Sequence, residues 1–407
     1  MALSTSSTGL VLITGATGNV GFNTLVHALR AGLTVRVAVR SETKATQLMR
    51  RLSLKTTSKQ RQRVTLAIVP DITAEGAYDE AMHDVTQVIH VASPLVTGSQ
   101  KPPIESEKAE DYFIGPAVRG TQSLLEAADA CGTVKRVVIT SSIVALIPVA
   151  QMEGTEPRPK GVPVRPTDRV PFTPGPYHSE FAAYANSKIA ALAAAETWCE
   201  EVRPAFDVVH LHPSFVLGRN DMAATTAECM KGTNAMVLAM LLGKRFGPFA
   251  GATVHVDDVA RCHVAAAIDT VHVPGNESYI LSQGSRWNDA KDMAATLFPF
   301  AEKTKLLVRS GNVGTTKIDI DASLAEDTFG LRFKGFSDQV ESLVGQFLEL
   351  KTNNKPGEQK KVMGNGGMKK TGVKAKVYHH VDMPSMCPTA IMVYTSHRSR
   401  SRGIHHS

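Results

Sequence analysis

Cysteine is scarce in this chain. Five of 407 residues (Cys131, Cys199, Cys229, Cys262 and Cys387) lie scattered along it, none at metal-ligand spacing. A disulfide framework and a zinc module are therefore not expected; a reducing, cytoplasmic setting is. Long apolar runs are also missing. No unbroken hydrophobic stretch approaches the ~20 residues that spanning a bilayer requires, so no membrane span is expected. Met1–Gly9 is rich in Ser and Thr and lacks the basic start of a secretory signal. No internal repeat is visible, which sets aside solenoid and propeller architectures.

Net positive charge is absent from the body of the chain. The formal charge is +7, but Thr352–Ser407 alone holds ten Lys/Arg against Glu358 and Asp382, or +8. Residues 1–351 then hold 35 basic and 36 acidic residues, or −1, and give no electrostatic reason to expect a nucleic-acid partner. The basic tail has clustered glycines (Gly364, Gly366, Gly367), lysine pairs and no apolar periodicity, so residues 352–407 are expected to be disordered. Arg398, Arg400 and Arg402 alternate with serines in a pattern that can touch RNA or an import receptor. The preferred reading is an unstructured extension, or an error in the gene model.

What is present is core-forming material: 43% of residues are hydrophobic and 20% charged. Short, nearly continuous apolar runs at Leu10–Thr14, Val35–Val39, Val64–Val69, Val88–Val91, Val137–Thr140 and Val208–Leu211 read as strands buried on both faces. Between them lie helical patterns such as Asn19–Ala31, closed by Gly32, and Arg119–Cys131, closed by Gly132. The alternation predicts an α/β fold with a doubly wound parallel Rossmann sheet. The expected division is a dinucleotide-binding domain over residues 8–218 and a smaller, partly interleaved substrate region over 219–351. Seven prolines in Gln151–Pro176 exclude a helix or an interior strand there and predict a lid or specificity loop. Further on, helices are expected over Ala223–Leu242, Trp287–Phe298 and Ser337–Leu350.

The first strand runs into Thr14-Gly15-Ala16-Thr17-Gly18-Asn19-Val20-Gly21 and then a helix. Glycines there allow a tight turn, close approach of backbone to a pyrophosphate, and packing of helix on sheet, while the helix N-terminus offers free N–H groups. Strand before and helix after make this a dinucleotide site, with Gly15, Thr17, Gly18, Asn19, Val20 and Gly21 as contacts. Where an acid often holds the ribose 2′-OH, this chain has Arg40-Ser41-Glu42-Thr43-Lys44. Arg40 and Lys44 suit a 2′-phosphate, with Ser41 as a further donor, so NADPH is expected although Glu42 dissents.

The fifth strand ends in Thr140-Ser141-Ser142, and Tyr184-Ala185-Asn186-Ser187-Lys188 opens an alanine-rich helix. Spacing of i to i+4 puts tyrosine and lysine on one face. A phenol with a pKa of about 10 must be made more acidic to exchange a proton near neutrality. An ammonium ~4 Å away, at an effective dielectric near 20, supplies about 4 kcal/mol, enough for roughly three units.

Together with His90-Val91-Ala92-Ser93-Pro94, Phe181-x-x-Tyr184-x-x-Ser187-Lys188, His212-Pro213-Ser214-Phe215-Val216-Leu217-Gly218 and Val254–Ala260, these motifs resemble the extended short-chain dehydrogenase/reductases. The resemblance covers about residues 8–350 and is nearest the branch of dihydroflavonol reductase, cinnamoyl-CoA reductase and fungal aldehyde/ketoreductases. It implies that Tyr184 donates a proton to a carbonyl oxygen, that Lys188 binds the nicotinamide ribose and acidifies the tyrosine, and that Ser142, preferred to Ser141, hydrogen-bonds the carbonyl. It further implies that Asp71 and Ile72 flank the adenine, that Ala92 and Ser93 line the cofactor, and that backbone at Pro213 and Val216 meets the carboxamide. A role in fungal secondary metabolism, such as polyketide biosynthesis, is also implied.

Other residues take plainer readings. His210 and His212 share one strand face and are expected in the core, without a metal. Asp257 and Asp258 are expected to cap the helix that follows. Met230–Leu242 is expected to form core or pocket wall. The leading function is an NADPH-dependent carbonyl reductase acting on a small-molecule aldehyde or ketone. The alternatives are a nucleotide-sugar epimerase/dehydratase and a non-enzymatic dinucleotide sensor; Arg40/Lys44 and the apolar run Ile143–Ile147 argue against the first, and an intact Ser142/Tyr184/Lys188 set against the second. Nothing in the pattern sets an oligomeric state.

Overall fold

The structure is a computed structural model that describes residues 9–93 and 108–353. Twelve strands are found among them: β1 (Leu10–Thr14), β2 (Thr34–Val39), β3 (Val64–Ile68), β4 (Val85–His90), β5 (Arg136–Thr140), β6 (Asp207–Pro213), β7 (Phe215–Leu217), β8 (Arg245–Ala250), β9 (Ala252–His255), β10 (Ser278–Leu281), β11 (Gln283–Gly284) and β12 (Asn312–Thr316). Seven form one sheet in the order β10-β6-β5-β4-β1-β2-β3, and every pairing in it is parallel. Chain order reverses between β1 and β4, which opens a crevice at their carboxyl ends.

The inner strands of this sheet are short and apolar because their side chains alternate between two covered faces. Val11 and Ile13 of β1 and Val35, Val37 and Val39 of β2 pack on one side, against Phe22, Leu25 and Leu29 of the helix Asn19–Arg30 and Val259 and Cys262 of the helix Val256–Ile268. Leu12, Val88, Val137 and Ile139 face the other side, toward Leu124 and Leu125 of the helix Gly115–Cys131 and Ala195 of the helix Glu180–Val202. Gly132 closes the first of these last two helices in the left-handed conformation, at φ 68°.

Some expectations need correction. β3 is not buried on both faces: it lies at the sheet edge, where Leu66 and Ile68 stand 40% and 39% exposed. Ala223–Leu242 is not one helix. Gly232, at φ 62°, separates a turn at Thr226–Cys229 from the helix Asn234–Leu241. The last helix spans Phe336–Asn353, so it takes in Thr352 and Asn353, which had been read as tail. The expectation of disorder for the remainder of that tail, and Pro94 of the His90–Pro94 run, fall outside the described residues.

Beyond Leu217 the chain builds a second apolar core and then returns to the first. Val237, Leu241, Trp287, Val340, Leu343 and Phe347 make the second core, with the Trp287 indole donating to the Ala250 carbonyl at 3.1 Å. The small sheets β11-β9-β7 and β12-β8 lie with this half. The helix Val256–Ile268 and β10, however, belong to the Rossmann layers.

Candidate functional site

Gly15 follows β1 at φ +72°, and a Cβ there would stand 2.6 Å from the Ala92 nitrogen at the end of β4. A Cβ on Gly21 would stand 2.3 Å from the Gly15 carbonyl oxygen, so the helix lies hard against the turn. Gly18 is different. Its φ is an ordinary −95°, and a Cβ would touch only the Gly15 oxygen, at 3.4 Å. No described residue crowds that position, so a glycine there leaves the space above the helix N-terminus open. Gly18 is the N-cap of the helix Asn19–Arg30, has no capping side chain, and is followed by no acid in the first turn. The unpaired N–H groups of that turn are left to an anion. The cradle fits a dinucleotide pyrophosphate.

Thr14 holds this turn against β4. Its hydroxyl oxygen accepts from the Val91 and Ala92 amides, both at 3.1 Å, and meets His90 Nδ1 at 2.9 Å. Burial, assisted by the Lys188 cation, lowers the His90 pKa to about 3, so this ring is neutral. Neither Thr14 nor His90 was singled out by sequence reading, although each stands inside a quoted motif. Ala92, Ser93, Ile72 and Lys188 line one cavity on the crevice side of the sheet. Gly120 makes room for Ile72, whose side chain would lie 2.8 Å from a Cβ there. The exposed Asp71 carboxylate accepts from both the amide and the hydroxyl of Thr73, at 2.9 and 2.7 Å, and these bonds lower its pKa.

Past β2, Ser41 caps the helix Glu42–Leu52 by accepting from the Lys44 amide. Arg40 is exposed and has no hydrogen bond or ion pair to any described residue, while Lys44 reaches Gln47 at 3.3 Å. Two cations thus flank a helix N-terminus on the edge of the crevice.

Ser142, Tyr184 and Lys188 come together beyond β5. Ser179 caps the helix Glu180–Val202 by accepting from the Ala182 amide, which places the half-buried Tyr184 and the buried Lys188 in the second and third turns. Lys188 Nζ donates to the Thr140 carbonyl at 3.1 Å. Burial lowers its pKa to about 8. Burial also raises the Tyr184 pKa, with Ser142 pulling the other way. The Lys188 ammonium is turned to the Thr140 carbonyl and does not contribute to that shift, so the expected acidification by Lys188 is not seen here. Ser142 Oγ accepts from the Val144 amide at 3.4 Å, whereas the Ser141 hydroxyl is buried without a partner among the described residues.

The Tyr184 ring packs against two apolar groups, one with Ile143–Ile147, Val149, Phe181 and Phe215, the other with Tyr112, Phe113 and Tyr177. The proline-rich loop docks beside the first group through Val164, which bridges to Ile320. Arg158 ties that loop together, donating to the Val162 and Pro163 carbonyls and to Asp168. Pro213 ends β6, and the Val216 carbonyl accepts from the Thr233 hydroxyl.

His210 and His212 are buried in β6; burial lowers the His210 pKa to about 4 and holds that of His212 well below its ordinary value. No group of three or more His, Cys, Asp or Glu among the described residues could hold a metal. Asp257 and Asp258 are not caps. His255 is: its ring accepts from the Asp257 amide at 3.1 Å. Asp257 instead pairs with His27 and Lys334, and the buried Asp258 accepts from the Lys334 amide. Among the described residues no helix is long and apolar enough to cross a membrane.

A glycine-rich turn at a topological switch point, with serine, tyrosine and lysine at the neighbouring strand end, defines a class of dinucleotide-dependent short-chain proteins. The chain belongs to the NAD dependent epimerase/dehydratase family, whose model matches residues 11–281, within the reductase branch of its extended members. It is 38% identical over 354 residues to ketoreductase CTB6 of Cercospora nicotianae, covering 84% of this chain and 95% of that one. It is 34% identical over 361 residues to NAD-dependent epimerase/dehydratase ALT6 of Alternaria alternata, covering 84% and 98%. Among solved structures it resembles yeast methylglyoxal/isovaleraldehyde reductase Gre2 complexed with NADPH, with a TM-score of 0.71 at 22% identity over 84% of this chain and 99% of that one.

Proposed function

We propose that the protein is an NADPH-dependent carbonyl reductase that acts on a ketone or aldehyde of apolar or aromatic character, in a secondary-metabolic route such as polyketide biosynthesis. The observation that carries this reading is the convergence of Ser142, Tyr184 and Lys188 beside the glycine turn. The ketoreductase name of its Cercospora relative supports it. NADPH in place of NADH is supported by Arg40, which has no partner among the described residues, and by the cofactor in the Gre2 complex.

When bound, the reduced nicotinamide supplies hydride; the chain's residues handle the oxygen. Ser142 donates a hydrogen bond to that oxygen as negative charge gathers on it, and Tyr184 delivers the proton from its hydroxyl. Lys188 holds the ribose and opposes the rise in the Tyr184 pKa that burial causes. Arg40 and Lys44 take the 2′-phosphate. Residues 151–176 and much of 219–351 shape the substrate pocket, whose apolar wall at Ile143–Ile147 disfavours a nucleotide sugar.

Tyr184→Phe tests the reading. It keeps the ring and its packing, so NADPH binding followed by fluorescence should stay near wild type while carbonyl reduction falls by roughly a hundredfold or more. Wild-type turnover in that variant would refute Tyr184 as the proton donor, whereas a wild-type protein that binds NADPH but reduces no carbonyl would return it to the sensor class.

A further inference from the structure

Lys188 is held at the strand end by a carbonyl that the sheet itself leaves partly free. Thr140, the last residue of β5, pairs with Leu211 of β6, but the ladder to β4 stops one residue earlier, at His90 and Ile139. The Thr140 carbonyl accepts from Lys188 Nζ at 3.1 Å. The Thr140 hydroxyl lies 2.7 Å from Nε2 of His263, and Nδ1 of His263 lies 2.7 Å from the Val259 carbonyl one turn back in the same helix.

Donor and acceptor follow without ambiguity. The Val259 carbonyl can only accept, so Nδ1 carries the proton. Burial keeps the ring neutral, with a pKa near 4, which leaves Nε2 as an acceptor for the Thr140 hydroxyl. His263 is fully buried in the helix Val256–Ile268, far in sequence from the glycine turn and from Tyr184.

We propose that His263 is a positioning residue that orients Lys188 through Thr140. Its ring fixes the Thr140 side chain, and with it the last peptide plane of β5, so that the carbonyl faces the ammonium. It touches neither substrate nor cofactor. The proposal rests on the reductase reading insofar as Lys188 serves catalysis. It explains why a buried polar chain of three residues crosses an otherwise apolar interface between sheet and helix, a chain that a leucine at 263 would replace with ordinary packing.

The experiment compares His263→Leu, His263→Gln, Thr140→Val and the double variant Thr140→Val/His263→Leu, each checked by thermal melt. Steady-state reduction of an accepted carbonyl gives kcat and KM, and 15N NMR of the histidine rings gives the tautomer. Displacing an oriented catalytic group costs rate more than binding, so His263→Leu and Thr140→Val should each lower kcat by about tenfold with the carbonyl KM unchanged. The double variant should be no worse than either single one. His263→Gln, whose amide can still accept from Thr140, should recover kcat to within about threefold of wild type.

Losses that multiply in the double variant, or a glutamine no better than leucine, overturn the proposal. So does an Nε2-protonated ring in the wild-type spectrum. If both His263 variants fail to fold, the near-isosteric Thr140→Val decides: a tenfold drop supports the proposal and wild-type kcat overturns it. A wild-type protein that reduces no carbonyl overturns the functional reading instead, and the ring spectrum then still decides the His263–Thr140 contact.

Discussion

Gly18→Ala separates the site from the scaffold. The new methyl would meet only the Gly15 oxygen, at 3.4 Å, and the backbone at φ −95° suits alanine. Alanine is a poorer N-cap than glycine by up to about 1 kcal/mol, while the stiffer unfolded chain restores about 0.4–1 kcal/mol. The melting temperature should therefore stay within about 2–4 °C of wild type, the shift expected for roughly 1 kcal/mol in a domain of about 200 residues. Binding should not survive so well. The methyl fills the space above the helix N-terminus and holds the pyrophosphate off the amides. Losing one charge-assisted bond of about 1.5–3 kcal/mol weakens NADPH by roughly ten- to a hundredfold. Gly21→Ala is the control with the opposite signature. Its Cβ would lie 2.3 Å from a backbone oxygen and 2.6 Å from a backbone carbon, which cannot swing aside. Overpacking of that kind costs about 1–3 kcal/mol, and the melt should drop by several degrees. NADPH fluorescence titration beside thermal melts reads both. A Gly18→Ala protein that binds NADPH as wild type does, or melts like Gly21→Ala, would refute the assignment of that space to the pyrophosphate.

Arg40→Ala should weaken NADPH by roughly ten- to a hundredfold and leave NADH nearly unchanged, since only the 2′-phosphate is lost as a partner; equal losses for both cofactors would reassign the preference to Glu42 or another residue. The Lys188 pKa near 8 lies below its ordinary 10.5, so its charged form is disfavoured by folding, and that cost is full below pH 8 and relieved as pH rises toward 10.5. The stability of wild type relative to Lys188→Met should therefore rise between pH 8 and 10 in chemical denaturation, and a flat difference would contradict the burial. The Asp257 pKa is lowered chiefly by the His27 hydrogen bond, with Lys334 helping. Its contribution is present above the ordinary carboxylate pKa and is lost as pH falls below it, so Asp257→Asn should shed stability at pH 6 and converge with wild type in acid.

Much of the fold was legible because a two-sided parallel sheet writes itself as separated apolar runs, and Leu10–Thr14 through Val208–Leu211 all appear as strands. What was missed has physical causes. Ser278–Leu281 is four residues long and far from its partner β6, so no local period marks it as the seventh strand. Edge position exposed β3, a property of its neighbours and not of its own residues. Asp257 and Asp258 have the composition of caps, but their partners are His27 and Lys334, which lie on other segments.

The site divides in the same way. Residue type and local spacing determined the glycine turn, the Tyr184–Lys188 pair and the strand-end serines, because a turn, a helix face and a strand end are each made within a few residues. Tertiary structure alone decided which atoms those groups meet. Packing brought Lys188 to the Thr140 carbonyl, put Thr14 across the crevice from Ala92, buried Tyr184 enough to raise its pKa, and set His263 behind the strand. Hydrogen-bond partners and desolvation depend on contacts between segments remote in sequence, and no periodicity records them.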